Sequence, residues 1–522
     1  MSKLTKVYVF DTTLRDGSQM EGITFSAEDK KEIISRLDSF GVDFIEGGMP
    51  QSNPTDAGLF ESSIETKNAK MVAFGSTCRP GMPASQDRGL IVLSKCQAPW
   101  ICLFGKTWKL HIDSVLRISP EDNLALIRDS ISFLVSEGKR VIFDAEHYFD
   151  GYNDDPEYAL KVVETARSAG AEWVTLCDTN GGTLPTVIGR IVSDTKDKVD
   201  CELGIHCHND SDLAVACTLA AVDSGARLIQ GTINGIGERC GNANLCSVIP
   251  DLMLKMGYDT NVDLSKLTSL SRTISEICNL AHNTSMPYVG SKAFTHKGGM
   301  HIDALLKNPI TYEHISPESV GNRRNYLVSE QSGRAGIIKK LSDLNIKSDD
   351  EHVDAVLERI KHMEAHGYQF EGADASLELL IRRECDSLSS PFRIPAFRIY
   401  IDEIGDGIIK SEASIKVSDL TGEIEHTASD GDGPVDALNR ALRKALTKFF
   451  PEVGSIRLID YKVRVLDEKA ATAAPVRVMI KSTDGKAQWT TVGVSTNVIE
   501  ASLIALVDSM EYVVLRKTWR ES

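Results

Sequence analysis

The sequence predicts an α/β chain: a (β/α)8 TIM barrel, then a helical linker region, then a C-terminal α+β domain built on a tandem strand–helix repeat. Three observations carry this prediction. Eight short apolar runs, most of them separated by amphipathic helical segments, fill roughly the first 250 residues, which is the usual span of such a barrel. No G-x-G-x-x-G follows the first run, and no run is left over to form an open edge, so a doubly wound dinucleotide-binding sheet is disfavoured. From residue 392 the pattern changes to two-residue alternation interrupted by two helices. The expected divisions are 1–270, 271–390 and 391–522.

In order, barrel strands are predicted at 7–11, 44–47, 71–75, 100–104, 141–145, 173–177, 202–206 and 228–232. Short apolar runs of this kind mark strands buried on both faces. Helical periodicity at 27–40, 120–137, 155–169, 213–224 and 243–256 supplies the crossovers that parallel strands require. The linker region is read from helical patterns at 274–281, 335–344 and 351–367, with a glycine-hinged segment, His296-Lys297-Gly298-Gly299-Met300-His301-Ile302-Asp303, between them. The last part carries strands at 397–401, 413–417, 463–465, 476–480 and 489–494, and helices at 435–450 and 498–507. Gly422 through the first of these helices resembles Gly485 through the second, which is the repeat. The turns before them, 430–433 and 493–497, either offer backbone donors to a small ligand or simply cap the helices. Such a domain after an enzyme barrel is either regulatory or a dimerisation module.

Composition narrows the classes. Against 58 Lys and Arg stand 74 Asp and Glu, a net charge of −16 that repels phosphate backbones and anionic lipid surfaces. No basic cluster, apolar leader or membrane-length apolar run is read, so no nucleic acid or membrane partner is expected and the cytoplasm is the expected location. The 11 cysteines are scattered without a C-x-x-C pair and read as buried free thiols.

The chemistry is organised around Gly204-Ile205-His206-Cys207-His208-Asn209-Asp210. Strand alternation turns His206 and His208 to one side and Cys207 to the other. Two imidazoles can share a cation but leave it short of negative charge, and Asp16 in Leu14-Arg15-Asp16-Gly17-Ser18-Gln19 is the candidate carboxylate. A lone His-x-His is also read as two hydrogen-bonded or surface histidines. Barrel topology favours the ligand reading, because strand ends bring Arg15, Asp16, Glu146, Asp178, Thr179, His206 and His208 to one mouth. Groups of that kind are costly to bury without partners.

Leu14-Arg15-Asp16-Gly17-x-Gln19 with Lys30, His206-x-His208-Asn209-Asp210, Gly237-Glu238-Arg239-x-Gly241-Asn242-Ala243, Gly299-Met300-His301-x-Asp303, Tyr312-Glu313 and Ser332-Gly333-Arg334 follow one another along the chain. This ordered set resembles the α-isopropylmalate and homocitrate synthase family over nearly the whole length. Glu21 through Ser26, Glu46-Gly47-Gly48, Ser52-Asn53-Pro54, Phe104 through Trp108 and Phe143 through His147 are most similar to its pyruvate-using branch. Two positions depart from the family pattern. Asp212 stands where Gly is usual, and is expected to be tolerated beside a helix N-terminus. Ser329-Glu330-Gln331-Ser332 replaces a Gly-Lys-His-Ser pattern, which weakens a leucine-pathway assignment.

The resemblance implies a Claisen-type condensation of acetyl-CoA with a 2-oxo acid, here pyruvate, followed by thioester hydrolysis, in isoleucine biosynthesis. A divalent cation polarises the ketone in such a reaction. Asp16, His206 and His208 are its expected ligands, with Asn242 in the first or second shell; Mg2+ or Mn2+ suits this set, with Zn2+ as the alternative. Arg15 would stabilise the alkoxide, or serve as a salt bridge orienting Asp16 or Glu146, two roles that are compatible. Thr179 would donate to the substrate carboxylate, or cap the helix near Leu184. His301 would take the methyl proton with Tyr312 and Glu146 assisting, and Asp144 beside Glu146 could raise a carboxyl pKa. A homodimer, with His301 acting across it, and isoleucine as feedback inhibitor complete the implied picture. The alternatives are 2-oxoisovalerate as acceptor, or an acyl-CoA lyase on the same barrel, for which Cys240 would be the catalytic thiol.

Overall fold

The computed structural model describes residues 4–329, 333–386, 388–403, 409–467 and 473–521, so Glu330, Gln331 and Ser332 of the departing linker motif lie outside the described residues. Eight parallel strands close a barrel in chain order: β1 Tyr8–Asp11, β2 Phe44–Gly48, β3 Lys70–Ser76, β4 Trp100–Lys106, β5 Arg140–Glu146, β6 Trp173–Asp178, β7 Leu203–Cys207 and β8 Leu228–Gly231. β1 pairs with β8, Tyr8 beside Leu228 and Asp11 beside Gly231, so no edge remains. Phe10, Phe44, Val72, Trp100, Ile142 and Trp173 form one apolar cluster contributed by six of the strands. The larger core includes Val9, Ile45, Leu103 and Ile229 of the strands with helical residues such as Ile33, Leu37, Ile131 and Val162.

Local chemistry explains the helix ends. Ala27–Phe40 starts where predicted because Ser26 Oγ accepts from Asp29 N at 3.1 Å while Asp29 accepts from Ser26 N at 2.9 Å. The helix expected over 243–256 is instead Leu245–Pro250 followed by a wider π turn, Asp251–Lys255; Pro250 has no N–H with which to continue the ladder. The helix expected at 274–281 runs Leu267–Ile277, and Asn279, at φ 54°, takes the left-handed conformation just beyond it.

The chain divides into two compact units, Met1–Phe294 with Ile315–Arg324, and Thr295–His314 with Asn325–Ser522. This differs from the expected divisions at 270 and 390. Leu267, Leu270 and Ile274 belong to the barrel's apolar core, whereas Ile337, Leu357 and Leu377 of the linker helices share a cluster with Val492 of the C-terminal sheets. In the second unit β9 Thr295–His296 pairs with β10 Asn325–Tyr326. Two antiparallel sheets follow, β11 Phe392–Glu403, β12 Ile409–Asp419 and β13 Ile424–Gly431, then β14 Arg457–Val465, β15 Val476–Thr483 and β16 Gln488–Ser495. Each sheet is followed by a helix, Pro434–Phe449 and Val498–Glu521, which is the tandem repeat.

Gly431 and Gly493 occupy matching places in it. A Cβ would lie 2.2 Å from Ala437 N at the first and 2.1 Å from Ala501 O at the second, so each helix meets its strand backbone to backbone. At the second turn Asn497 accepts from Ile499 N at 2.9 Å, so the capping alternative is realised there. β13 and the helix Asp374–Cys385 escaped the sequence reading; the strand Ile-Glu-His-Thr-Ala-Ser-Asp-Gly has little apolar alternation and is defined by its pairing with β12. No described helix is long and apolar enough to cross a membrane.

Asp11 closes β1 with a fully buried carboxyl. Burial, against the bonds it accepts from Thr13 N at 3.0 Å and Thr13 Oγ1 at 2.8 Å, pushes it from 3.8 up to about 7. Between those values the folded state holds a proton that the unfolded chain has lost, so stability should fall as pH rises through that window, by on the order of a few kcal/mol. Asp11→Asn keeps an acceptor for Thr13 N and should flatten the dependence. Urea midpoints taken at about pH 5 and pH 8 check this; a variant as pH-sensitive as the parent would contradict it.

Candidate active site

A cavity of about 300 Å3 opens at the C-terminal mouth of the barrel, where this fold carries its chemistry. Arg15 and Asp16 enter it from the loop after β1, Phe74 from β3, Phe104 from β4, Asp144 and Glu146 from β5. Thr179 enters after β6, His206 from β7, His208 just past the end of β7, and Glu238 and Arg239 from the loop after β8. A larger cavity of about 510 Å3 lies by the start of β3 and the approach to β4, lined by Phe60, Ile64, Met71 and Gln97. It gathers no comparable set of acids and imidazoles.

His206 Nε2 stands 3.2 Å from His208 Nε2 and 3.4 Å from Asp16 Oδ2, and the three ligand atoms all lie within 4.8 Å of one another. Burial, then the neighbouring His208, hold the His206 imidazole down to about 3; burial also lowers His208. Burial alone would raise Asp16, but Arg15 and the two imidazoles hold its carboxyl below the ordinary range. The set is therefore one carboxylate and two neutral imidazoles whose ring nitrogens converge. The Asn242 side chain helps to hold the Asp16 carboxyl low and donates Nδ2 to Ile236 O at 3.1 Å, while its buried Oδ1 has no partner; His208 Nδ1 is likewise unpartnered. Converging acceptors with an orphaned amide oxygen beside them fit a divalent cation. Gly241 makes this approach feasible: at φ 86°, its Cβ would sit 1.9 Å from Gly235 O.

The sequence reading paired Arg15 with Asp16 or Glu146. The structure pairs it with Glu46 of β2, Nε to Oε2 at 2.6 Å, and with Asp16 at 3.2 Å, its guanidinium 3.8 Å from the Phe74 ring centre. Burial works against the charge, but Glu46 and Asp16 outweigh it. Glu146 is instead held by Lys106 at 2.5 Å. Burial and Glu46 push Asp144 of β5 up to about 6.

Thr179 does not cap the next helix, Pro185–Lys198, whose cap is Leu184 without a side-chain bond. Its Oγ1 accepts from His147 N at 2.8 Å, which leaves the hydroxyl proton for the cavity. Asp212 adopts φ 59°, the left-handed conformation that explains why glycine is usual there; it precedes the helix Ala214–Asp223 and accepts from Asn209 Nδ2 at 3.3 Å. Cys240 is exposed on the loop after β8.

His301 and Tyr312 belong to the second unit, where their rings stack with centres 4.1 Å apart. Glu46, Lys106, Gln230 and the stacked pair Phe74 and Phe104, 5.2 Å between centres, were not singled out as site residues in the sequence. Glu46, Phe104 and Lys106 lie inside motifs that resemble the family, and their places toward the C-terminal ends of β2 and β4 were the available signal.

Three family models match the chain: HMGL-like over residues 6–274, homocitrate synthase post-HMGL domain-like over 288–368, and LeuA allosteric (dimerisation) domain over 371–514. The (R)-citramalate synthase of Aquifex aeolicus is 51% identical over 519 residues, covering 98% of each chain. That of Geobacter sulfurreducens is 48% identical over 517 residues, again covering 98% of each. A 2-isopropylmalate synthase of Methanocaldococcus jannaschii is 30% identical over 516 residues, covering 98% of this chain and 95% of its own.

Proposed function

We propose how the barrel mouth works from the premise that the chain belongs to the citramalate synthases, within the 2-isopropylmalate and homocitrate synthase family. It is an acyltransferase that condenses acetyl-CoA with pyruvate and hydrolyses the thioester to citramalate and CoA. The observation that carries the residue-level reading is the convergence of Asp16, His206 and His208 beside the Arg15 guanidinium in one cavity.

Asp16, His206 and His208, with Asn242 as a further oxygen donor, would hold the divalent cation, which when bound draws electron density from the ketone as a Lewis acid. Mg2+ or Mn2+ is our assignment from the donor set. Arg15, kept charged by Glu46, stabilises negative charge growing on the keto oxygen. Thr179 donates its hydroxyl proton to the pyruvate carboxylate. His301, in a stacked pair with Tyr312, removes the methyl proton of acetyl-CoA; this assignment follows the family resemblance. The methyl carbon bonds to C2 of pyruvate, the keto oxygen gains a proton, and water then displaces CoA thiolate. Glu146, in hydrogen bond with Lys106, assists these proton movements. We assign the stacked rings of Phe74 and Phe104, which line the cavity, to the wall that meets the pyruvate methyl and discriminates against an isopropyl group.

We assign the second unit to homodimerisation and regulation. Its support is the LeuA-type match and the exposed apolar side chains of the outer strands, Phe397, Tyr400 and Ile401 on β11 with Ile459, Tyr461 and Val463 on β14. Isoleucine is the proposed inhibitor and the cytoplasm the proposed location, the latter in keeping with 11 free cysteines. The test is CoA release by metal-stripped protein resupplied with Mg2+ or Mn2+, offered acetyl-CoA with pyruvate, 2-oxobutyrate, 2-oxoisovalerate or 2-oxoglutarate, with and without isoleucine. Metal-dependent release strongest with pyruvate and lowered by isoleucine is expected. Release strongest with 2-oxoisovalerate would contradict the wall, and indifference to isoleucine would contradict the regulatory assignment.

A further inference from the structure

Behind the imidazole of His206, away from Asp16 and His208, runs a buried polar chain that the reaction as described does not use. His206 Nδ1 lies 3.0 Å from Gln230 Oε1 on β8, and Gln230 Nε2 lies 2.9 Å from Asp144 Oδ1 on β5 and 3.1 Å from Thr175 Oγ1 on β6. Gln230 is 1% exposed and Thr175 fully buried, so neither meets water. A buried primary amide is costly to leave unsatisfied, and here each of its ends has partners.

The order of donors and acceptors along this chain is set from its far end. A carboxylate oxygen only accepts, so the Gln230 group facing Asp144 is the NH2 and the group facing His206 is the carbonyl oxygen. A carbonyl oxygen cannot donate, so the hydrogen between it and His206 sits on Nδ1. That leaves Nε2 without a proton, its lone pair directed to the side where Asp16 and His208 stand. With the amide turned over, its NH2 would donate to Nδ1, the ring proton would move to Nε2, and the ring could no longer coordinate.

We infer that Gln230 is a positioning residue for the cation site, oriented by Asp144 and Thr175 so that it locks His206 in the Nδ1-protonated, Nε2-ligating tautomer. The inference rests on the reading that Asp16, His206 and His208 hold a divalent cation. It adds to that reading a residue on a different strand, and a role for the carboxylate of Asp144. Outer partners of metal-bound histidines raise cation affinity about 10- to 100-fold in comparable arrangements.

The test uses the metal-stripped full-length protein and Mn2+ alone, with the dissociation constant read by calorimetry and the melting temperature of the metal-free form read in parallel. Gln230→Met, nearly isosteric but without donor or acceptor, should weaken Mn2+ binding about 10- to 100-fold. Asp144→Asn can present its Oδ1 to the Gln230 NH2 and should stay within about threefold of the parent, whereas Asp144→Leu should approach Gln230→Met. Gln230→Met binding Mn2+ as tightly as the parent would overturn the inference and leave the cation site standing. A parent that binds no Mn2+ would remove the site reading itself. The unaltered protein gives an independent check, because ring-15N-labelled His206 in the metal-free state should show a protonated Nδ1 and a bare Nε2. The opposite tautomer would overturn the inference whether or not any variant folds.

Discussion

Arg15→Lys should lower kcat/KM for pyruvate by about two to three orders of magnitude, the loss typical when one preorganised donor to a developing oxyanion is removed. The guanidinium performs three tasks from one position: Nε binds Glu46 at 2.6 Å, Nη1 reaches Asp16 at 3.2 Å, and its flat face lies 3.8 Å from the Phe74 ring centre. A lysine ammonium is a compact point charge without the fork or the face, so it can satisfy Glu46 or approach the substrate but not both. Glu46 is itself pinned by Thr12 Oγ1 at 2.5 Å, and its buried Oε1 is otherwise unpartnered, so it will not move to follow a shorter donor. Steady-state CoA release checks this, with the thermal melt of the variant recorded alongside. A variant that melts like the parent and keeps kcat/KM within about threefold would show that charge alone suffices and that Arg15 is not the oxyanion donor.

Lys30→Met should destabilise the barrel by about 3–5 kcal/mol, the range seen when one member of a buried ion pair is removed. Lys30 Nζ lies 2.5 Å from Asp56 Oδ1 and donates to Gly47 O at 2.8 Å, with little of either side chain exposed. Asp56 in turn accepts from Met49 N at 2.8 Å, and Met49 lines the mouth cavity. Removing the ammonium strands a carboxylate and slackens the loop after β2. The double variant Lys30→Met/Asp56→Asn removes the stranded charge while keeping an acceptor for Met49 N, and should regain a good part of the loss. Urea titrations followed by tryptophan fluorescence measure both. If the single variant unfolded at the parent's midpoint, the pair would not be holding this loop. The signature that drew attention to Lys30 in the sequence thus has a structural task, and its effect on turnover should appear as a raised KM for pyruvate.

How far the site could be read in advance depended on sequence distance. His206 and His208 announce themselves because their relation is local: two residues apart on a strand means one side, whatever the rest of the chain does. Arg15 and Asp16 were found because barrel topology makes a strand end a site position. Glu46, Lys106 and Gln230 are single polar residues on apolar strands, and what gives each a role is a partner 31, 40 or 86 residues away. Beyond the family-like motifs that hold Glu46 and Lys106, nothing local distinguishes such a residue from a satisfied core group. Asp212 shows the reverse case, where a departure from the family pattern was noticed but its cause, a left-handed backbone, became visible only in the fold.

The sequence by itself determined the closed eight-stranded barrel, the repeat in the second unit and the meeting of Asp16, His206 and His208 at one mouth, because these follow from periodicities of two and 3.6 residues and from a topology that sends all strand ends to one mouth. Only the tertiary structure decided which charges neutralise one another, Arg15 with Glu46 and Glu146 with Lys106, that burial raises the Asp144 carboxyl, and which nitrogen of His206 faces Asp16 and His208. The physical reason is that periodicity specifies a direction, whereas an ion pair or a tautomer depends on angstrom-scale distances between strands whose register is settled by the packing of the whole barrel.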